Sequence, residues 1–202
     1  MVRPRAENYE ERRKEILDAA ASMFAEKGFD GASISQIARR CGVSKALLYH
    51  YYQSKEELLF SMLHLHVNLL VEVAAKAVAK SDNPKEQLKY LIRDLMQLYI
   101  DTRDKHIVLL NSLHSLNEEQ QMEIRDLERS LVKTIKDILS AIRPDFSEHE
   151  KTSMAMYLMG AINWTYTWFK PDGAISHRDY ADMACATFLN GIISLSPSVG
   201  SV

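Results

Sequence analysis

The sequence has few cysteines and no long apolar segment, and both absences restrict the class of protein. Its two cysteines, Cys41 and Cys185, lie far apart and form no CxxC motif. We therefore expect no disulfide framework, which indicates a reducing, cytoplasmic setting. The N-terminus is charged and lacks the apolar segment of a signal peptide, and no apolar run approaches the ~18 residues of a membrane span. These patterns predict neither a secreted nor a membrane protein.

Motifs for catalysis and for metal binding are also missing. The sequence contains no Gly-rich phosphate loop, no nucleophile elbow and no paired-carboxylate motif. His64 and His66 are two residues apart, which points them to different faces of a helix, and there is no HxxxH or HExxH spacing. We expect no metal site, no cofactor and no enzymatic activity. Two other functions stay open at this point: an enzyme that hydrolyses or modifies a small molecule, and a helical adaptor that makes protein contacts.

Strand signals are missing as well, whereas helix starts recur along the chain. No segment alternates apolar and polar residues with the period of a strand, and no internal repeat is found. Apolar segments of helical spacing instead follow polar N-cap residues that have Glu, Gln or Asp three positions later. These N-cap candidates are Asn8, Ser33, Ser54, Asn83, Asn117, Ser147 and Ser176. The pattern predicts an all-α fold of about nine helices.

Residues 33–52 hold the most distinctive local pattern, two short helices around a tight turn. Ser33 and Ser44 are N-cap candidates, and Gly42 suits a left-handed turn position that a residue with a Cβ resists. The small Ala38 lets the two helices approach closely. The stretch therefore predicts a helix-turn-helix.

The second helix of this motif has an anchoring side and an outward side. We expect Leu47 and Leu48 to anchor it against the first helix. The outward residues have side chains of the kinds that contact DNA phosphates and base edges. They are Lys45, Ala46, Tyr49 and His50. Lys55 lies in the first turn of the following helix, where the helix dipole disfavours a cation unless it faces an anion such as a DNA phosphate.

Charge is distributed unevenly along the chain. Residues 1–55 carry ten basic and seven acidic side chains, a net charge of +3, whereas residues 56–202 carry fifteen and twenty, a net charge of −5. A mildly basic head on an acidic body fits a small DNA-binding module joined to a second domain, although such asymmetry also arises by chance. We place a DNA-binding domain at 1–54 and a second domain at 55–202.

The stretch from Gly28 to Leu58 resembles the TetR family of one-component bacterial repressors. The matching segments are Gly28-Phe29, Ala32-Ser33, Ile37-Ala38, Gly42-Val43-Ser44, Leu48-Tyr49-His50-Tyr51-Tyr52 and Ser54-Lys55-Glu56-Glu57-Leu58. The resemblance implies a homodimer whose N-terminal helices bind a palindromic operator on double-stranded DNA. It also implies that a small-molecule effector, bound in a C-terminal body that holds the dimer together, releases the repressor.

The same resemblance implies which residues contact DNA. Together with the outward residues above, the candidates are Ser33, Ser35, Ser44, Lys45, Ala46, Tyr49, His50, Tyr51 and Lys55. Many family members have Gly, Thr or Pro near Ala46-Leu47 and Phe at Tyr52. These departures affect how bases are read and leave the fold unchanged.

The segment from Ile162 to Gly173 resembles the TetR regulators of fatty-acid, aromatic-acid and sterol catabolism, which sense acyl-CoA thioesters. The candidate ligand residues are Met62, Met96, Tyr99, Arg125, Met159, Asn163, Trp164 and Tyr166. Methionine adapts to a variable acyl chain, and a polar amide on an apolar helix needs a neighbour or a ligand as partner. The alternative for the apolar candidates is ordinary core packing, and the alternative for Arg125 is contact with solvent. The alternative for the whole protein is a repressor that senses hydrophobic compounds and controls an efflux gene.

The last two helices have large apolar faces that contain small residues. These faces predict a four-helix bundle across a two-fold axis, and closure of the monomer's own core is the alternative. The small residues are Gly160, Ala161, Ala181, Ala184 and Ala186.

Overall fold

The structure is a computed structural model that describes residues 3–197 of the chain, with side chains from Tyr9 onward. It contains ten α-helices and a 3₁₀ turn at Leu113–Ser115 within these residues, and none of them forms a strand. The helices are α1 Arg3–Gly31, α2 Ile34–Arg40, α3 Lys45–Tyr51, α4 Lys55–Val78, α5 Pro84–Asp101, α6 Arg103–Ser112, α7 Glu118–Ile142, α8 Glu148–Asn163, α9 Thr165–Trp168 and α10 His177–Ser194. The predicted all-α fold is confirmed. The predicted number of about nine helices is reached when the single-turn α9 is counted with α8, since only Trp164 separates them.

The first helix differs from the prediction at its start. It begins at Arg3, so Asn8 is inside the helix and is not its N-cap. Its helical geometry is broken at Gly28, which has φ 71° and ψ 167°. A residue without a Cβ adopts this left-handed backbone without steric cost, and the expected end at Gly28 is therefore a break in the helix.

Serine side chains cap several helices as their spacing predicts. Ser33 Oγ accepts from the Gln36 amide at 3.3 Å, while the Gln36 side chain accepts from the Ser33 amide at 3.0 Å. Ser147 and Glu150 form the same reciprocal arrangement at the start of α8. Ser176 Oγ accepts from the Asp179 amide at 3.1 Å. Each cap satisfies amide groups that the first turn of a helix leaves without intrahelical partners.

The chain divides into two compact units. One comprises the chain up to Val67 together with Thr102–Arg125, so it holds α1 to α3, the first half of α4, α6 and the start of α7. In this unit α1 packs against α2 and α6. Its core includes Ile16, Ala20, Phe24, Ile37, Leu48, Leu58 and Leu63, each at most 2% exposed.

The other unit comprises Asn68–Asp101 and the chain from Asp126 onward. Here α5 packs against α10, and the Arg93 guanidinium pairs with both carboxylate oxygens of Asp182. Apolar side chains of both helices are buried, among them Leu88, Leu91, Leu95, Ala181, Cys185 and Phe188. The functional boundary after residue 54 stays a prediction, because compactness groups helices by packing and not by role.

Helix α4 has the length and apolar composition of a membrane span. It is the helix in residues 3–197 that meets this test, with a mean hydropathy of 1.6 over an 18-residue window. Many of its apolar side chains are buried within the protein, including Leu58, Leu59, Met62, Leu63, Val67 and Leu70. A core helix passes the same test, so composition alone is weak support for a span.

Candidate nucleic-acid interface and effector region

The turn between α2 and α3 has the geometry that its sequence predicts. Gly42 has φ 68°, and the Val43 amide donates to the Ala38 carbonyl at 2.9 Å. Ala38 is 3% exposed and Leu48 is fully buried. The glycine makes the corner, the small residue allows close approach and the leucine fills the gap, which confirms the helix-turn-helix.

One face of α3, with its N-cap, projects into solvent. Ser44 Oγ accepts from the Leu47 amide at 3.0 Å and so caps the helix. The exposed residues on this face are Ser44, Lys45, Ala46, Tyr49 and His50. Ser33 and Ser35, at the start of α2, are exposed as well. The Lys45 ammonium lies 5.7 Å from the centre of the Tyr49 ring, so the two side chains share one edge of this surface.

The predicted anchoring role of Leu47 is wrong. Leu47 is 40% exposed, whereas Leu48 is fully buried. Consecutive helix residues are about 100° apart around the axis, so Leu48 alone faces α2 and Leu47 is turned outward. Leu47 is therefore a candidate DNA-contact residue that the sequence analysis missed. The helical angle between Leu47 and Leu48 could have predicted that only one of them faces α2. Its apolar side chain suits a thymine methyl group.

Residues of α1 support the end of α3. The Tyr51 ring, which is half-buried, stacks on Tyr9 with centroids 4.7 Å apart. The Arg13 Nε–H donates to the Tyr52 hydroxyl at 3.2 Å, and Tyr52 is 1% exposed. Burial raises the pKa of the Tyr52 hydroxyl. Tyr9 and Arg13 lie about forty positions before their partners, so no local pattern marks them.

A second tie joins α1 to α2. The Arg40 guanidinium donates to both carboxylate oxygens of Glu26, at 2.8 and 2.9 Å, and to Ser22 Oγ at 2.7 Å. Hydrogen bonding to Arg40 lowers the pKa of the Glu26 carboxyl. Although Arg40 is basic and exposed, its donors are engaged within the protein, so its role here is to hold the motif against α1.

The structure places Lys55 differently from the outward residues of α3. Its ammonium donates to the Phe29 carbonyl at 2.8 Å and to the Ala32 carbonyl at 3.2 Å. It also lies 4.1 Å from the centre of the Phe29 ring. A cation in the first turn of α4 is disfavoured by the helix dipole, and here two carbonyl oxygens of the same chain, which carry partial negative charge, offset that effect.

Three of the predicted effector residues meet in the second unit. Tyr99 on α5 donates its hydroxyl to Asn163 Oδ1 at 2.8 Å, at the end of α8. Met96, one turn before Tyr99, has its sulfur 3.9 Å from the Thr165 hydroxyl. Tyr99 and Met96 are buried, and burial raises the pKa of the Tyr99 hydroxyl. The partner that Asn163 needs is therefore a neighbouring side chain.

The other predicted effector residues do not share that position. Met159 and Tyr166 are half-buried, and Trp164 is 63% exposed. Arg125 is exposed and donates to Gln121 on its own helix at 3.1 Å. Met62 is 1% exposed and belongs to the first unit.

Two buried histidines join α4 to α6 in the first unit. His66 Nε2 lies 3.4 Å from His106 Nδ1, and both residues are 2% exposed. Burial, with smaller contributions from His106 and Lys105, lowers the pKa of His66 to about 3. Burial also lowers the pKa of His106 to about 4. Both imidazoles are therefore neutral at physiological pH. The sequence did not single out this pair.

An open apolar groove lies between α8 and α10 in the second unit. Its volume is about 580 Å³, and its lining includes Tyr157, Leu158, Ala161, Met183, Ala184 and Phe188. Tyr157 is 65% exposed and Met183 51% exposed. Within residues 3–197, no three His, Cys, Asp or Glu side chains are grouped so that they could hold a metal ion.

Comparison with known proteins agrees with these features. A family model described as bacterial regulatory proteins, tetR family, matches residues 16–62, and one described as tetracyclin repressor-like, C-terminal domain, matches residues 81–192. A TetR-family transcriptional regulator from Bordetella parapertussis 12822 is 36% identical, with a TM-score of 0.85 over 92% of this chain and 98% of that one.

Two further relatives cover nearly the whole chain. The structure of AibR in complex with isovaleryl coenzyme A and operator DNA is 28% identical, with a TM-score of 0.78 over 87% of this chain and 97% of that one. The transcriptional repressor KstR2 of Mycolicibacterium smegmatis is 26% identical over 90% of both chains. The helix-turn-helix geometry and these matches at both ends of the chain lead to one conclusion: the protein belongs to the TetR family of DNA-binding transcriptional regulators.

Proposed function

We propose that the protein is a homodimeric repressor that acts in the cytoplasm and is released from a palindromic operator by a small effector, an acyl-CoA thioester. One observation carries the effector class. AibR resembles this protein over 87% of the present chain, and its crystal structure is a complex with isovaleryl coenzyme A and operator DNA. Release follows if the effector binds the non-operator conformation more tightly, since binding at one site then weakens binding at the other.

The exposed face of α3 is suited to the major groove. Lys45 supplies a charge for phosphate, and Ser33 and Ser35 supply hydroxyl groups at the start of α2. Tyr49 and His50 carry polar groups for base edges. In a two-fold dimer, two such helices enter successive major grooves about 34–36 Å apart, which requires a palindromic operator.

The groove between α8 and α10 supports a dimer. Soluble monomers rarely expose large contiguous apolar patches, and this groove is lined by the exposed Tyr157 and Met183. A second copy of the same two helices complements the groove in a four-helix bundle, in which the same surface of each protomer meets its equivalent.

The second unit offers an apolar environment with a polar element for the effector. Met96 and Tyr99 on α5 and Asn163 at the end of α8 meet there. The thioether of Met96 suits an acyl chain, and the Tyr99–Asn163 pair can exchange its internal hydrogen bond for one to a thioester carbonyl. Because α4 contributes residues to both units, it is the element that we propose carries the response to the DNA-binding helices.

A specific observation favours a second effector class. Arg125 donates to Gln121, and Arg129 pairs with Asp126, so both arginines have their partners along α7. Both guanidinium groups would have to give up these partners to bind the phosphates of coenzyme A. The second candidate is therefore a repressor of an efflux gene that binds hydrophobic compounds without a phosphate group.

Native mass spectrometry of the protein purified from its own host tests the effector class. A bound mass that matches an acyl-CoA is the expected result, whereas a bound hydrophobic compound without coenzyme A supports the efflux alternative. In a second experiment, an operator duplex selected from random DNA is titrated with isovaleryl-CoA and longer acyl-CoAs, with free coenzyme A and the free acids as controls. Unchanged operator affinity across the thioester series contradicts the proposal.

A further inference from the structure

The exposed side of α2 carries two side chains that point the same way. Ser35 and Arg39 are both exposed and lie four positions apart. Because four residues turn an α-helix through about 400°, the two side chains leave the helix within about 40° of each other, one turn apart along its axis. The opposite side of α2 is formed by the buried Ile34, Ile37 and Ala38. Arg39 therefore shares the face of Ser35, which is one of the candidate DNA-contact residues.

The neighbouring arginine points in another direction. Arg40 is turned by a further 100° or so around the helix axis and pairs with Glu26 of α1. The Arg39 guanidinium has no hydrogen-bond or ion-pair partner among residues 9–197, whose side chains the structure describes. Binding an anion would therefore not require Arg39 to give up a bond inside the protein.

The segment that contains Arg39 is positively charged, although the protein as a whole is not. Residues 31–55 contain no aspartate or glutamate, whereas the whole chain has a net charge of −2. Glu26 of α1 is an acidic side chain that meets this segment, and it is bound to Arg40. A locally positive surface on an acidic protein favours a polyanion at that place. The basic residues of the segment are Arg39, Arg40, Lys45 and Lys55.

Arginine has the chemistry that a phosphate contact requires. Its guanidinium is always charged and presents parallel N–H donors that match two phosphate oxygens. Along each strand of DNA, a phosphate follows every 3.4 Å or so of helix axis. Side chains one helical turn apart, with Cβ atoms about 5–6 Å from each other, can therefore contact the backbone of one strand together. Ser35 and Arg39 have this spacing.

We propose that Arg39 binds a phosphate of the operator backbone, and that the DNA interface extends from α3 along the exposed side of α2. This inference rests on the proposed operator binding and is independent of the effector and of the residues that form the dimer. A phosphate contact strengthens binding to any DNA sequence and makes it more salt-dependent. A contact to a base edge strengthens binding to the selected sequence alone.

The test compares Arg39→Gln with Arg129→Gln, which removes the same charge from an exposed position of α7 in the other compact unit. Each full-length protein is titrated with an operator duplex selected by the wild type and with a non-specific duplex, over a range of salt concentrations. For Arg39→Gln we expect about a fivefold loss of affinity on both duplexes and a salt slope reduced by about 0.9 for each bound protomer. Arg129→Gln should keep the affinity and the slope of the wild type.

Two results for Arg39→Gln overturn the proposal. A loss confined to the operator duplex, with an unchanged salt slope, would assign Arg39 to a base edge. Affinities and slopes equal to those of Arg129→Gln would place Arg39 outside the interface.

Arg39→Lys separates the charge of the side chain from its two parallel donors. This variant should keep the wild-type salt slope and lose less affinity than Arg39→Gln, because the ammonium still neutralises a phosphate. A slope reduced as far as in Arg39→Gln would contradict the phosphate contact.

The comparison requires that every variant is folded. Arg39 is exposed, and glutamine and lysine are good helix formers, so circular dichroism and thermal unfolding should match the wild type. A wild-type protein that binds neither duplex would overturn the proposed function together with this inference. Salt-dependent operator binding by the wild type, with no effect of Arg39→Gln, would overturn this inference and leave the proposed function in place.

Discussion

The Tyr99 hydroxyl donates to Asn163 Oδ1 at 2.8 Å, and this hydrogen bond joins α5 to the end of α8. Tyr99 is 5% exposed and Asn163 is half-buried, so most of the bond is removed from solvent. The pair supplies both a structural tie and the polar group proposed for the effector. These two roles can be separated by measuring stability and effector binding on the same variants.

Tyr99→Phe should lower the free energy of unfolding by about 1 kcal/mol, because Asn163 Oδ1 loses its donor while the ring stays in place. Denaturant unfolding measures the change, and Ser130→Ala, which removes a hydroxyl at an exposed position of α7, is the control, with an expected change within about 0.5 kcal/mol. Tyr99→Phe, Asn163→Ala and the double variant form a cycle. Additive losses in that cycle would show that the bond contributes no coupling energy.

Stability should fall in acid because His66 and His106 are buried as neutral imidazoles. The folded pair stays neutral down to a pKa of about 3 for His66 and about 4 for His106, whereas an unfolded histidine binds a proton near pH 6.5. The unfolded state therefore binds more protons between these values, so stability is complete above pH 6.5 and is lost as the pH falls. At pH 5.5 each histidine should account for about 1.4 kcal/mol of lost stability.

His66→Leu should reduce this acid dependence by about one proton between pH 6 and pH 4.5. Urea unfolding at a series of pH values measures the slope. Met62→Leu, one turn earlier on α4, is the control, since a residue without a titrating group shifts stability equally at every pH. A slope in His66→Leu that equals the wild-type slope would exclude the pair as its source.

Leu48→Ala should lower the stability of the protein, whereas Leu47→Ala should leave it nearly unchanged. Leu48 is fully buried, so its truncation should cost about 2.7–5 kcal/mol of stability. Leu47 is 40% exposed, so its truncation should leave stability within about 0.5 kcal/mol. If Leu47 contacts a thymine methyl group, operator affinity should fall about fivefold in Leu47→Ala, with no change on non-specific DNA. Equal stability losses in the two variants would restore the anchoring role of Leu47.

Met183→Asp should weaken the proposed dimer without unfolding the protomer. Met183 lines the groove between α8 and α10 and is 51% exposed, so the carboxylate is solvated in the monomer and buried only on association. We expect dimer dissociation constants to rise about 100-fold or more in sedimentation equilibrium. Ser130→Asp, at an exposed position of α7, is the charge-matched control. Wild-type association in Met183→Asp would place the interface elsewhere.

Much of the fold follows from interactions between residues that are close in sequence. The serine caps at Ser33, Ser54 and Ser147 bond to amides three positions later, and Gly42 accepts its backbone conformation without help from distant residues. For this reason the helix starts, the helix-turn-helix and the outward residues of α3 could be predicted. Leu47 could also have been placed correctly from helical geometry, because its angle to Leu48 is a local property.

The sequence by itself determined the all-α fold, the helix-turn-helix and which side of α3 is exposed, because hydrogen bonds and periodicity within about four residues decide them. Only the tertiary structure decided the partners of Lys55, the bond between Tyr99 and Asn163, and the contact of His66 with His106. The partners of Lys55 lie 26 and 23 positions away, and the other two pairs are 64 and 40 positions apart, so the packing of whole helices brings them together. A lysine in the first turn of a helix is stabilised by an acceptor that carries full or partial negative charge, but the sequence does not show whether that acceptor is a phosphate or a carbonyl group of its own chain.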